Sequence, residues 1–197
     1  SAGRRALRNR CLSLLASGRD AVTAGLATEQ LGTATNMTDE LAALVTLTKL
    51  GGKRVNASME KFYDKWKSNP LVIDKWFSVQ GMRNHVEGVS AIKELTEHEV
   101  YDARNPNRVR ALIGSFAMAN PNLFHAPDGS GYDFFTDQVL DMDSRNPQVA
   151  ARLLGAYEIW RKLDGRRQSQ IKEQLRIIIA ANPSKNVLEI ATKTLGS

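Results

Sequence analysis

Residues 146–160 read Asn146-Pro147-Gln148-Val149-Ala150-Ala151-Arg152-Leu153-Leu154-Gly155-Ala156-Tyr157-Glu158-Ile159-Trp160. The opening pair is a helix boundary with a mechanism. Proline pushes the residue before it out of the α region and is itself tolerated at the first helical position, while an asparagine side chain can accept from the free N–H groups of a first turn. Behind it, Val149, Leu153, Tyr157 and Trp160 recur at spacings of four, four and three. That spacing puts them on one side of a helix, as a buried face requires.

The same punctuation returns along the chain. Asn69-Pro70, Asn105-Pro106, Asn120-Pro121 and Asn182-Pro183 bring the total to five asparagine–proline pairs among six prolines. With the Asn120 pair set aside, the prolines at 70, 106, 147 and 183 stand 36, 41 and 36 residues apart. Such intervals match a helix–turn–helix unit in a stacked repeat protein. Other stripes agree: Leu41, Leu44, Val45 and Thr48 behind a cap-like Thr38-Asp39-Glu40; Met59, Phe62, Tyr63 and Trp66; Val109, Leu112, Ile113 and Phe116; Ile171, Leu175, Ile178 and Ile179. Gly51-Gly52 and Gly165 read as helix stops. No segment alternates with period two. The expected fold is all-α: an α-solenoid of stacked antiparallel helix pairs, armadillo/HEAT-like, with ten or more short helices. No linker interrupts it, so one domain over residues 1–197 is expected.

Composition narrows the function less. The chain has 197 residues, 24% charged and 42% hydrophobic, with a net charge of +6. Basic residues gather at Arg4, Arg5, Arg8 and Arg10, and again at Arg161, Lys162, Arg166, Arg167, Lys172 and Arg176. A nucleic-acid surface is one reading of such clusters; solvated helix faces, or a surface meeting an acidic neighbour domain, are the other. No RNA-binding or zinc-finger signature favours the first, and no nucleic-acid partner is expected. No apolar run reaches membrane-spanning length, and no membrane partner is expected. The single cysteine, Cys11, lies in Cys11-Leu12-Ser13-Leu14-Leu15 and reads as a buried, inert thiol.

The catalytic inventory is thin. The histidines are His85, His98 and His125. His98-Glu99-Val100-Tyr101-Asp102 misses the zinc-protease pattern, because its fifth position is Asp102 where a second histidine would have to face the metal. Neither a nucleophile elbow nor a phosphate-binding loop is present. No catalytic residue, metal site or cofactor is expected in this chain.

Two features retain functional interest. Arg110 and Arg152 each follow an Asn-Pro helix start by a few residues. Corresponding positions in neighbouring repeats can line one surface, where guanidinium groups grip carboxylates or carbonyls. A snorkelling arginine or a structural ion pair explains the same spacing. The stretch from Asn120 to Gly131 is long for a repeat protein and carries Phe124, His125 and Asp128, with Tyr132 following. It is expected to be ordered, packed either on a neighbouring helix pair or against a partner or ligand.

Several stretches together resemble a known family. Asn105-Pro106-Asn107-Arg108-Val109-Arg110-Ala111-Leu112-Ile113-Gly114, the Phe124-His125 loop with Asp128-Gly129-Ser130-Gly131-Tyr132, and Asn146 to Leu153 resemble the C-terminal domain of the bacterial-type aminopeptidase N family. Gly3-Arg4-Arg5-Ala6-Leu7-Arg8-Asn9, Asn36-Met37-Thr38-Asp39 and Asp74-Lys75-Trp76-Phe77 are similar to further landmarks of that family. The resemblance implies a helical, non-catalytic domain of a larger cytoplasmic enzyme that removes N-terminal residues from peptides, with zinc in an absent catalytic domain. It implies that this domain caps the catalytic cleft, walls a peptide-access chamber and has the catalytic domain of the same polypeptide as partner. Arg110 and Arg152 become candidates for the chamber face, and Phe124, His125, Asp128 and Tyr132 for the chamber wall or the interface. The rival reading is a free-standing repeat adaptor that binds a protein or peptide on its concave face.

Overall fold

The computed structural model describes residues 1–196. Among these residues there are helices and turns and no strand. Two compact units are distinguished, Ser1–Val79 and Gln80 onward.

The first unit holds α1 (Ala2–Leu15), α2 (Ala21–Thr33), α3 (Met37–Leu50), α4 (Lys53–Trp66) and most of α5 (Pro70–Met82). Asp20 caps α2 by accepting from Thr23 N–H at 2.7 Å, and Asn36 caps α3 by accepting from Asp39 N–H at 3.0 Å. The Thr38-Asp39-Glu40 segment is therefore already helical, and its carboxylates sit in the first turn, where the helix dipole favours them. Gly51 and Gly52, at φ 74° and 86°, stop α3 as expected. Ala43, Leu44, Leu47, Val55, Met59, Phe62, Ile73 and Phe77 form the core. In α3 the buried face is centred on Ala43, Leu44 and Leu47; Leu41, Val45 and Thr48 are half-buried. The stripe is thus rotated from the one the spacing suggests.

Two carboxylates are buried here, each with partners. Asp39 accepts from Asn9 and Asn36 and pairs with Arg8. The Asn36 hydrogen bond is the largest influence holding it below the usual carboxylate range. Glu40 accepts from Lys65 at 2.9 Å and from the Trp66 indole at 3.1 Å. Without such partners each carboxylate would be left desolvated with its charge uncompensated.

The second unit holds the end of α5, α6 (Val89–Thr96), α7 (Pro106–Val109), α8 (Ser115–Ala119), α9 (Pro121–Phe124), α10 (Ser130–Arg145), α11 (Pro147–Leu153), α12 (Gly165–Ala180) and α13 (Lys185–Gly196). A π-helical turn, Arg110–Gly114, joins α7 to α8, and a 3₁₀ run, Leu154–Lys162, continues α11. Val109, Leu112, Ile113 and Phe116 are all buried, as are Val149, Leu153, Tyr157 and Trp160. Four of the five Asn-Pro pairs behave as their chemistry predicts. Prolines 70, 106, 121 and 147 are each the first residue of a helix, and the asparagine before each accepts from a first-turn N–H.

The fifth pair differs. Asn182 has φ 53° and donates its N–H to Ile179 O, so it closes α12 in the left-handed cap conformation that asparagine tolerates. The next helix starts later, at Lys185, where Ser184 Oγ accepts from Val187 N–H. Gly165 is also not a stop: Asp164 accepts from Arg167 N–H and Gly165 opens α12.

Candidate functional site

The two arginines singled out by spacing stand on neighbouring elements of the second unit. Asn105 Oδ1 accepts from Asn107 and Arg108 N–H and launches α7, which delivers Arg110 to the start of the π turn. The Arg110 side chain is exposed. Its Nε donates to Pro106 O at 3.1 Å and its Nη2 to Asn107 Oδ1 at 2.8 Å. These bonds fix the plane of the guanidinium while using two of its five donors. Arg152 is exposed in the last turn of α11 and has no hydrogen-bond or ion-pair partner among the described residues.

The glycines between these positions show how the elements meet. A Cβ added at Gly114 would lie 3.8 Å from Arg110 Cβ and 3.9 Å from Leu153 Cδ2, and one at Gly155 would lie 3.7 Å from Met118 Cε. The π turn and α8 therefore run against the end of α11 and the start of the 3₁₀ run. Exposed Met118 and Ile159 add apolar surface on these same segments. Two arginines with free donors beside such surface can hold an extended chain by its carbonyls or a carboxylate.

The Asn120–Gly131 stretch is shorter as a loop than its sequence suggests. Its first part is the helical turn α9, and Ser130 already begins α10. Asn120 anchors it, its amide donating to Gly81 O at 3.0 Å and Arg83 O at 2.7 Å. Phe124 and Tyr132 are fully buried. The Phe124 ring stands edge-on to Phe116, Tyr132 and Phe135 at 5.6, 5.3 and 5.2 Å. Gly131 is required by contact: a Cβ there would come within 2.4 Å of Leu123 O and 2.5 Å of Phe124 O. The buried side chains of the stretch therefore pack on its own unit.

His125 and Asp128 sit at the rim of this packed segment. His125 is half-buried and its Nδ1 lies 2.7 Å from the Tyr132 hydroxyl. Burial, aided by the Arg167 charge, lowers the imidazole pKa, and burial pushes the Tyr132 phenol up to about 12. Both groups are accordingly neutral near pH 7, and either ring tautomer makes the bond. Asp128 is exposed, accepts from Ser130 N–H at 3.0 Å and Ser130 Oγ at 2.7 Å, and is held below the usual carboxylate range by those bonds.

Arg167, which the sequence shows only as one charge in a basic run, latches this rim. Its Nε donates to His125 O at 2.9 Å and it pairs with Asp164. Gln170 adds a donor to Pro127 O at 3.2 Å. Tyr157, buried beneath, donates to Tyr132 O at 3.1 Å. Its spacing marks it as core but gives no sign of this bond.

The three histidines do not converge. Among the described residues no group of three or more His, Cys, Asp or Glu side chains is placed to hold a metal ion. His85 is buried with Nε2 2.9 Å from Gln80 O, and His98 accepts from Val100 N–H at Nδ1. No described helix is long and apolar enough to cross a membrane.

Comparison with known proteins matches this architecture. A family described as a domain of unknown function (DUF3458_C) with ARM repeats matches residues 1–196. Aminopeptidase N of Caulobacter vibrioides is 41% identical over 197 residues, which is 100% of this chain and 23% of that protein. Aminopeptidase N of Escherichia coli is 40% identical over 195 residues, 98% of this chain and 22% of that protein. A crystal structure of Legionella pneumophila aminopeptidase A in complex with aspartic acid superposes with a TM-score of 0.89 at 34% identity, over 99% of this chain and 23% of that one. The chain thus spans about a quarter of the length of the relatives it matches, and it corresponds to their C-terminal region.

Proposed function

The chain belongs to the ARM-repeat family DUF3458_C, and from that membership we propose that it is the non-catalytic C-terminal repeat domain of a zinc metallo-aminopeptidase acting on peptides in the cytoplasm. One observation carries this reading. Similarity to two aminopeptidases N runs through essentially the whole chain, yet it accounts for less than a quarter of each. Both compact units fall inside that match, which supports treating residues 1–197 as one domain of the parent.

The metal chemistry lies elsewhere in such a polypeptide. Zinc bound in a catalytic domain activates water for attack on the scissile carbonyl, and the side chains described here do not assemble a site that fits the metal. This chain contributes shape and positioning. It caps the catalytic cleft and walls the route by which peptides enter. Arg110 and Arg152 take carbonyls or carboxylates of the substrate away from the bond that breaks, which governs placement. His125 and Asp128, presented by Phe124, Tyr132 and Arg167, form part of the chamber wall or of the contact with the catalytic domain. Neither nucleic acid nor a membrane is a partner in this reading.

The test is the size and activity of the native protein. An antibody raised to these residues should capture a polypeptide several times larger than 21.8 kDa, with peptidase activity that a metal chelator abolishes. A captured species of 21.8 kDa without activity would replace this reading by the adaptor.

A further inference from the structure

We propose that Asn107 is a positioning residue for Arg110, holding its guanidinium so that the end-on pair of N–H groups, one on Nη1 and one on Nη2, takes a carboxylate of the peptide. This rests on the reading that Arg110 touches substrate in the intact enzyme. It adds what orients that arginine and which substrate group the arginine holds.

The geometry is local to α7. Arg110 stands four residues after Pro106 and three after Asn107, and a helical side chain leans back over the preceding turn. Pro106 O accepts from the Arg110 backbone N–H and also from Nε at 3.1 Å, as the two lone pairs of a carbonyl allow. Asn107 Oδ1 accepts from Nη2 at 2.8 Å. Nε–H and one Nη2–H lie on the same edge of a guanidinium, so these two acceptors occupy that edge together. Three donors remain, and one from each Nη forms the end-on fork, directed away from the side-chain stem. The Asn107 side chain is exposed, and among the described residues its hydrogen bond is the one to Arg110. Its backbone N–H is held by Asn105 whatever side chain it carries.

The other arginine supplies the contrast. Arg152 follows Pro147 by five residues rather than four, with Gln148 and Val149 where Pro106 and Asn107 precede Arg110. The Val149 side chain has no acceptor, and Arg152 makes no bond of this kind among the described residues. Of the two, Arg110 is the one held in advance. Fixing a long side chain before binding removes an ordering cost from binding itself. What is left to bind with decides the ligand. Two parallel N–H groups match the two oxygens of a carboxylate, whereas a single carbonyl oxygen uses such a fork less fully.

A double-mutant cycle in the intact enzyme tests this. Asn107→Ala should lower kcat/KM about threefold on a peptide bearing the carboxylate, with the melting temperature unchanged. In an Arg110→Ala background the same substitution should change nothing further. A merely structural role for Asn107 would cost the same in both backgrounds, and that result overturns the proposal. Two peptide pairs locate the carboxylate: a free C-terminal acid against its amide, with no other acidic residue, and an amidated peptide with internal glutamate against glutamine. The penalty of Asn107→Ala should disappear for the member of a pair that lacks the group Arg110 holds. An equal penalty on all four peptides overturns the proposal, since Arg110 would then serve carbonyls. If Arg110→Ala itself leaves the kinetics unchanged, the substrate role of Arg110 fails and this inference with it. If Arg110→Ala slows the enzyme and Asn107→Ala does not, that role stands and positioning by Asn107 alone is removed.

Discussion

The Tyr132 hydroxyl lies 2.7 Å from Nδ1 of His125 and ties the rim of the loop to the aromatic core of the second unit. Tyr132 packs edge-on against Phe124 at 5.3 Å, and its carbonyl accepts from Tyr157. One residue thus serves the core with its ring and backbone and the surface with its oxygen. Tyr132→Phe removes the second role and keeps the first. Loss of about 1 kcal/mol is expected, as for a net protein hydrogen bond. Tyr132→Ala should cost about 3–5 kcal/mol by opening a cavity. Urea unfolding of the two variants checks the order, and equal losses would mean that the hydroxyl bond carries the whole effect.

Stability should fall as the solution is acidified from pH 7 toward pH 5. Burial is the largest cause lowering the pKa of both His85 and His125, with the Gln80 carbonyl opposing it at His85 and the Arg167 charge reinforcing it at His125. A histidine whose folded pKa lies below its unfolded value of about 6.5 binds its proton more readily when unfolded. Its contribution is complete above about pH 6.5 and is lost as pH falls through the folded values. Denaturant midpoints measured between pH 8 and 5 test this. A midpoint that rises on acidification would contradict the neutral, buried state of both rings.

Gly131→Ala and Gly25→Ala should move stability in opposite directions. A Cβ at Gly131 would sit 2.4 Å from a backbone carbonyl oxygen, which cannot swing aside as a side chain can. A loss of about 1–3 kcal/mol or more is expected from overpacking of this kind. Gly25 lies within α2 with nothing inside 4 Å of the added atom. Alanine there should add about 0.5–1 kcal/mol, because the unfolded chain loses freedom. Thermal melts of the two variants give the comparison directly.

Replacing Arg110 and Arg152 by alanine in the intact enzyme should lower kcat/KM for peptides by about tenfold, in line with loss of charged hydrogen bonds to substrate. Both side chains are exposed, so the melting temperature should hardly change. Kinetics on a long and a short peptide separate the roles, since positioning through a remote contact should matter more for the long one. Unchanged kinetics with unchanged stability would remove both arginines from the substrate surface.

Much of the architecture is legible in the Asn-Pro pairs, because their effect is local: a restricted backbone and a capping side chain act wherever the pair occurs. Pairs 69, 105, 120 and 146 start helices for that reason. Asn182 escapes because asparagine has a second local option, the left-handed cap, and Ser184, held by Asp143, supplies a better start two residues on. The 120–131 stretch reads as loop because Pro121, Pro127 and two glycines dominate it. Its one-turn helix and the contact at Gly131 depend on residues that only the fold brings near. Arg167 and Cys11 were hidden for opposite reasons. One gains its meaning from a carbonyl 42 residues away, and the other is exposed on α1 beside Leu12, which is buried, so its apolar neighbours do not mark its own side.

The π turn at Arg110–Gly114 and the 3₁₀ run at Leu154–Lys162 depart from α-helical winding in opposite directions, the first looser and the second tighter. A π turn holds more residues than an α turn and a 3₁₀ turn holds fewer. One segment therefore lags the α-helical phase and its neighbour leads it. Pairing a slow screw with a fast one changes which side chains meet along their length, so the contacts at Gly114–Leu153 and Met118–Gly155 depend on the count of residues in both. A single-residue insertion or deletion in either segment would rephase everything downstream of it in that helix. In the first helix that would swing Phe116 away from the aromatic cluster, and in the second it would turn Trp160 out from beneath α13.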